Sequence, residues 1–224
     1  MEFVDRPNRF VVRGRRDDGV VLVAYLPNTG RLTHLCEPGR PWIFRRARRP
    51  DRRTEYTAIR AWDGAWVALE ASRAPELLAD WLEAGHPLGP FGGVVGLERE
   101  VRLAGHRLDL RVDTEAGSVW VEVKSGGRGR DGTALLSQTP SARGAAHLEL
   151  LGRLVADGEL AAAAFVVQRP DVERLLVGGD ADPGWIEAVT RARDAGVAVL
   201  AYRCVVTPEG VAIAGEIPVV WAAE

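Results

Sequence analysis

Residues 100–125 read EVRLAGHRLDLRVDTEAGSVWVEVKS. Apolar and charged residues alternate along this stretch, the period of two expected of half-buried strands, so three short strands in a meander are predicted. In Val119–Lys124 the three valines take one face, while Trp120, Glu122 and Lys124 take the other. In Arg107–Arg111 the leucines face the core and Asp109 the opposite side. A four-residue hairpin loop over Thr114–Gly117, with Gly117 supplying any positive φ, sets Asp113 against Ser118 and Asp109 opposite Glu122. A two-residue hairpin at Ala104-Gly105 then sets Glu100 opposite Asp109. Facing residues hold their Cβ atoms roughly 4.5–5.5 Å apart. Three carboxylates are therefore expected on one patch, with Lys124 one pleat away, roughly 6–7 Å along the strand.

Carboxylates crowded to about 4 Å repel by about 4 kcal/mol at an effective dielectric near 20. A hard cation between them removes that penalty. Mg²⁺ takes oxygen ligands and keeps several waters, so two or three carboxylates suffice to hold Mg²⁺ or Mn²⁺. Composition singles out Lys124 as well. Of 29 basic residues 28 are arginine, and Lys124 is the only lysine. A compact ammonium and a planar guanidinium are not interchangeable beside a water or a phosphate.

The chain is 46% hydrophobic and 27% charged with a net charge of −2, ordinary for a globular protein with a real core. Charge is unevenly placed. Residues 1–71 carry 14 arginines against 9 acids, and the remainder 15 basic against 22 acidic residues. The basic part suits a polyanion and the acidic part a metal. Cys36 and Cys204 form no CxxC pair, which fits a cytoplasmic location. The N-terminus has no apolar signal core, and no run approaches the roughly 18 apolar residues of a membrane helix, so no membrane partner is expected. Strands are predicted at Phe10–Arg15, Val20–Tyr25, Trp42–Arg46, Thr54–Ala61 and Trp66–Ala71, separated by turn signals such as Asp63-Gly64. Five short strands in this space predict a small β-barrel or sandwich. Its tryptophans are read as core. Arg45, Arg46, Arg48 and Arg49, within the Arg45–Arg53 run, are read as phosphate contacts for a single strand. A helix is predicted over residues 74–85, with Pro75 in its first turn and Gly85 ending it. Ser125–Gly132 reads as a basic loop that either closes over a phosphate backbone or stays disordered. Beyond it, helices over Pro140–Asp157 and Pro183–Ala195 alternate with strands at Ala162–Gln168, Val197–Val206 and Val211–Val220, which predicts an α/β layer on the meander. On the first of these helices Leu148, Leu151, Leu154 and Val155 form the apolar face, with Arg143 and His147 on the other.

An Asp on one strand followed by Glu-x-Lys on the next resembles the PD-(D/E)xK core of restriction-endonuclease-like nucleases. The segments LPNTGRL, RLDL…VWVEVKS and RGAAHL, in that order, resemble the sugar fermentation stimulation protein A family over nearly the whole chain. The resemblance implies an OB-like N-terminal barrel over residues 1–72, a helical linker over 73–96, and an α/β (α+β) nuclease-like domain with a mixed sheet over 97–224. It implies DNA or RNA as partner, with Asp109, Glu122 and Lys124 catalytic. Metal ligation falls to Asp109 and Glu122, with the Val123 carbonyl and Glu100. Nucleic-acid contact falls to Tyr25, Asn28, Thr29, Arg143 and His147. Two departures stand out. Tyr25 occupies a position usually held by His, and Leu136-Ser137-Gln138-Thr139 and Ala142 replace FPDA and a Glu. The expected function is a metal-dependent nuclease, or a non-catalytic nucleic-acid-binding protein with a degenerate site. No Gly-rich nucleotide fingerprint or nucleophile triad supports a small-molecule enzyme.

Overall fold

The computed structural model describes residues 1–47, 54–103, 105–138 and 142–222. The N-terminal part consists of β1 (Glu2–Asn8), β2 (Val11–Arg15), β3 (Val21–Tyr25), β4 (Trp42–Arg46), β5 (Tyr56–Trp62) and β6 (Trp66–Ala68). They pair in the order β1-β2-β3-β5-β4, with β6 on β5. Backbone bonds Phe3 N to Arg40 O and Trp42 N to Met1 O, both 2.8 Å, bring β1 round to the start of β4. Strand β1 is hidden in the sequence because Pro7 and Asn8 look like a breaker; Pro7 falls at a register irregularity between Asp5 and Asn8, where the ladder needs no N–H from it. The barrel core gathers Phe3, Val12, Leu26, Leu35, Trp42, Phe44 and Leu69. At Gly14 a Cβ would lie 2.5 Å from the Phe44 ring, so this strand position has room for glycine alone. Trp42 is core as expected and donates to Leu35 O at 3.2 Å. Trp62 is not: it is 39% exposed and meets Trp66 edge-on at 5.2 Å.

Helix α1 (Ala74–Glu83) follows, with Pro75 in its first turn. Then come β7 (Val94–Leu103), β8 (His106–Thr114), β9 (Gly117–Gly126), β10 (Arg128–Arg130), β11 (Gly132–Leu135), α2 (Ala142–Ala156), β12 (Leu160–Val167), β13 (Val172–Val177), α3 (Pro183–Asp194), β14 (Ala198–Val206), β15 (Val211–Ile217) and β16 (Val219–Trp221). The main sheet runs β15-β14-β12-β9-β8-β7. It is mixed: β12 lies parallel to β9 and β14, and the other pairs are antiparallel.

Strand β12, LAAAAFVV, is buried on both faces, as a central strand with layers on each side must be. Ala161, Ala163, Phe165 and Val167 pack with Leu148, Leu151, Trp185 and Val189 of α2 and α3. Ala162, Ala164 and Val166 pack with Leu77, Leu78 and Leu82 of α1, together with Val119, Val121 and Val123 of β9. The stretch read as a helical linker thus supplies one layer of this core through α1. The three valines point one way, as their alternation predicts. The basic loop after Lys124 is in fact paired: β10 and β11 form a hairpin, and β11 continues through β13 to β16 in a second sheet. The last predicted strand divides at Pro218, where β15 stays on the main sheet and β16 joins β13.

Candidate functional site

The meander register places the site. Asp113 faces Ser118 and Leu110 faces Val121. Thr114 also pairs with Gly117, so the hairpin loop is the two residues Glu115-Ala116 rather than four; Gly117, at φ +126, makes the tight turn possible. In the preceding hairpin Leu103 faces His106 and Val101 faces Leu108. Ala104, one of its two predicted loop residues, lies outside the described residues.

The β8–β9 ladder stops at Leu110–Val121, one step short of Asp109 and Glu122. There Asp109 substitutes a side chain for the backbone partner: its Oδ2 accepts the Val123 N–H at 2.8 Å. Across β8, Glu100 falls between the paired Arg99–Leu110 and Val101–Leu108 and adopts a left-handed backbone, φ +57. The site thus lies where three neighbouring strands loosen their pairing together.

Glu122 is the buried centre, its side chain 5% exposed. Lys124 Nζ donates to its Oε1 at 2.5 Å, and His147 Nδ1 donates to the same oxygen at 2.5 Å. Two donors on one oxygen leave Oε2 buried without a partner among the described residues. Burial pushes the Asp109 carboxyl above its usual range and the Glu122 charge adds to this; the Val123 N–H, Lys124 and His147 offset part of it. The pair is therefore short of positive charge. An oxygen-seeking divalent cation fits that deficit, with Glu122 Oε2, Asp109 and the Val123 carbonyl as the donors at hand. Among the described residues no three His, Cys, Asp or Glu side chains converge closely enough to hold a metal. The expected three-carboxylate cluster is accordingly a pair. Glu100 lies opposite Asp109 in register, but its side chain is 69% exposed and sits 3.6 Å from Arg107.

A cleft of about 850 Å³ opens over this pair. Glu100, Asp109, Glu122, Val123, Lys124, Arg143 and His147 all line it, joined by Ser72, Glu76, Arg99 and Arg107. His147 does not lie on the outer face of α2 as expected. It is buried against Glu122 and meets His106 edge-on at 5.9 Å. Its place was legible: His147, Leu151 and Leu154 form one i, i+4, i+7 stripe. Arg107, also missed, shares the period-two face of Asp109.

The other predicted nucleic-acid residues that the structure describes do not line this cleft. Tyr25 pairs with Val11 and Thr57 inside the barrel. Asn28 Oδ1 accepts the Gly30 N–H at 3.0 Å, a local turn bond. Thr29 is exposed. One guanidinium, Arg6, donates to the carbonyls of Arg9, Asn28, Gly30 and Arg31 and so clamps the whole turn. Arg45 pairs with Glu70 and Arg46 with Glu55, both at 2.6 Å. Arg48 and Arg49 lie outside the described residues. Barrel and sheet are locked by Arg169, whose side chain is 3% exposed and reaches Asp63 of the barrel at 3.2 Å and Asp171 at 2.7 Å.

A closed β-barrel joined to an α+β domain, with an acid pair and a lysine at the loosened end of its meander, defines a two-domain class of protein. Two family descriptions match the chain, "SfsA N-terminal OB domain" over residues 4–69 and "Sugar fermentation stimulation protein RE domain" over residues 72–210. The chain belongs to the sugar fermentation stimulation protein family. Among its relatives, the homolog of Methylobacterium radiotolerans is 39% identical, covering 97% of this chain and 94% of the relative. That of Moorella thermoacetica is 37% identical, over 94% and 91%. The solved structure of Pyrococcus furiosus SfsA in complex with Ca²⁺ superimposes with a TM-score of 0.79 at 25% identity, covering 98% of this chain and 94% of that one. Among the described residues no helix is long and apolar enough to cross a membrane.

Proposed function

We propose that this protein is a metal-dependent nuclease that hydrolyses phosphodiester bonds of DNA or RNA, built on a restriction-endonuclease-like domain. The observation that carries the reading is the buried Glu122 carboxylate, doubly bonded on Oε1 and orphaned on Oε2, beside an Asp109 whose carboxyl is pushed up by burial. An unpartnered buried carboxylate oxygen costs about 1–3 kcal/mol, a cost a bound cation removes. The Ca²⁺ in the Pyrococcus relative supports a divalent metal; Mg²⁺ or Mn²⁺ is the working ion, because hydrolysis needs a small cation that retains water. When bound, the metal lowers the pKa of its water and polarises the scissile phosphate. His147 holds Glu122 in place. Lys124 presents a compact charge to the attacking water and to the phosphate oxygen as negative charge develops there. Arg99, Arg107 and Arg143 line the cleft as partners for the flanking phosphates. The barrel's arginines, Arg45 and Arg46 among them, draw the strand in. The free Cys36 and Cys204 suit work in a reducing cytoplasm.

A binding protein with a silent site is the second reading, favoured by the absence of acids at Gln138 and Ala142. Incubation with labelled single- and double-stranded DNA and RNA in Mg²⁺, Mn²⁺ or EDTA separates the two. Cleavage that needs metal and disappears in Asp109→Ala is expected. Binding without cleavage under every metal would establish the second reading.

A further inference from the structure

A second cavity, of about 110 Å³, lies between the barrel and the α+β domain. On the barrel side it is walled by the turn from Asn28 to Leu35, and on the other by Ser125–Arg128 and Leu135. It is contiguous with the carboxylate cleft: Ala71 lines both, and Ser125 directly follows the cleft residue Lys124 on β9. Two residues of extended strand cover roughly 7 Å, about one nucleotide's reach along a single strand.

Three properties say what this cavity takes. The first is size. An engineered cavity of about 150 Å³ accepts one benzene, so this volume is on the scale of a single ring with its remainder in the mouth, and a base pair does not enter. The second is the character of its walls. Leu32, Leu35, Val67 and Leu69 give apolar surface for a flat ring. The third is an unmet hydrogen bond. His34 lines the cavity, and its Nε2 is buried with no partner among the described residues. Burial lowers the His34 pKa and favours the neutral ring, whose Nε2 can form one further hydrogen bond. The complementary ligand is a planar, largely apolar ring with a hydrogen-bonding edge.

We propose that this cavity receives one unstacked nucleobase of a strand whose backbone continues past Lys124 into the carboxylate cleft, which makes unpaired nucleic acid the substrate class. The role of the cleft rests on the nuclease reading; base capture itself requires no cleavage. A duplex must unstack and unpair a base to fill the cavity, at a cost of a few kcal/mol that a single strand largely avoids.

The test is fluorescence-anisotropy binding in EDTA, where nothing is cleaved. The probes are a short labelled single strand, the same backbone with its bases removed, and the blunt duplex. The intact chain is expected to hold the base-bearing single strand about tenfold tighter than either alternative. His34→Ala, and Thr33→Phe filling the cavity from its exposed rim, each shrink that preference toward unity with an unchanged melting curve. Should His34→Ala fail to fold, Thr33→Phe reads the same quantity. Equal affinity of the intact protein for base-bearing and base-free strands overturns the proposal, as does a full preference persisting in a folded Thr33→Phe. A parallel Mn²⁺ cleavage assay keeps the two ideas apart. Base preference without cleavage refutes the nuclease reading alone, and cleavage without base preference refutes base capture alone.

Discussion

Asp109→Asn should make the metal-free protein more stable and the metal-loaded protein less so. The Asn oxygen still accepts the Val123 N–H, which Asp109 takes at 2.8 Å. What disappears is a charge that burial and the Glu122 carboxylate both disfavour. Relieving a buried, under-compensated charge of this kind is worth about 1–2 kcal/mol. For a chain of this size each kcal/mol moves Tm by about 2–4 °C, so a rise of roughly 2–8 °C is expected in EDTA. The sign with pH follows from the raised carboxyl. The native state favours protonated Asp109, so the penalty exists in full above its folded pKa and fades as pH falls toward the ordinary aspartate value of 3.8. The Asn advantage should shrink over the same acid range. Metal reverses the order: at a hundred times its Kd, Mn²⁺ stabilises the parent by about 2.7 kcal/mol, and the variant should gain little of this. Calorimetric melts of both proteins, with EDTA and with Mn²⁺, read all four states. A variant that melts lower than the parent in EDTA, or that gains as much from Mn²⁺, refutes the account of the acid pair.

Lys124→Arg should keep the fold and most nucleic-acid affinity and lose about 10²–10³ in single-turnover cleavage, since the planar fork spreads the charge that Nζ concentrates; parental cleavage would remove the special role of this lysine. Replacing Arg45, Arg46, Arg48 and Arg49 together should lower the log–log salt slope of single-strand binding by about 0.7 for each phosphate these arginines neutralise, and an unchanged slope would reduce the run to solvated surface. Arg169→Met removes the buried guanidinium that bridges Asp63 and Asp171, while Arg40 still holds Asp63 at 2.7 Å and Asp171 stays partly in solvent. It should cost about 1–3 kcal/mol, read as a fall in urea midpoint; no measurable loss would mean that Arg169 does not hold the barrel to the sheet.

The meander was legible because alternation and turn spacing fix register together: once Thr114–Gly117 closes the hairpin, a slip of one residue would turn Val119, Val121 and Val123 out of the core. That brings Asp109, Glu122 and Lys124 to one place from the pattern alone. What the pattern does not contain is the departure from ideal pairing at the same point. Asp109 uses its side chain where the ladder would use backbone, and Glu100 takes a left-handed φ that sends its carboxylate outward. Local exceptions of this kind depend on tertiary surroundings, and they concentrate where function is built. Strands β1, β10, β11 and β13 were missed for a plainer reason. Pro7, Gly129, Gly132 and two pairs of charged residues hide strands whose support comes from neighbours distant in sequence.

The departures from the family pattern take on a different weight once placed in space. Gln138 lines the cavity between the domains rather than the acid cleft, and its Nε2 bonds Asp180 at 3.0 Å while Arg128 holds the same carboxylate at 2.8 Å. Ala142 opens α2, exposed, one residue before the cleft residue Arg143. Neither position is a partner of Glu122 or Asp109, whose close donors are Lys124, His147 and the Val123 N–H. An acid at 138 would set a second negative charge beside Asp180 and compete for Arg128. An acid at 142 would sit at the N-terminus of α2, next to the cleft residue Arg143. Losing both makes the rim of the strand path more positive by two charges while the acid pair stays intact. On the proposed nuclease reading, the substitutions therefore bear on how a polyanion is gripped, and through Gln138 on what enters the inter-domain cavity, more than on whether a metal is held.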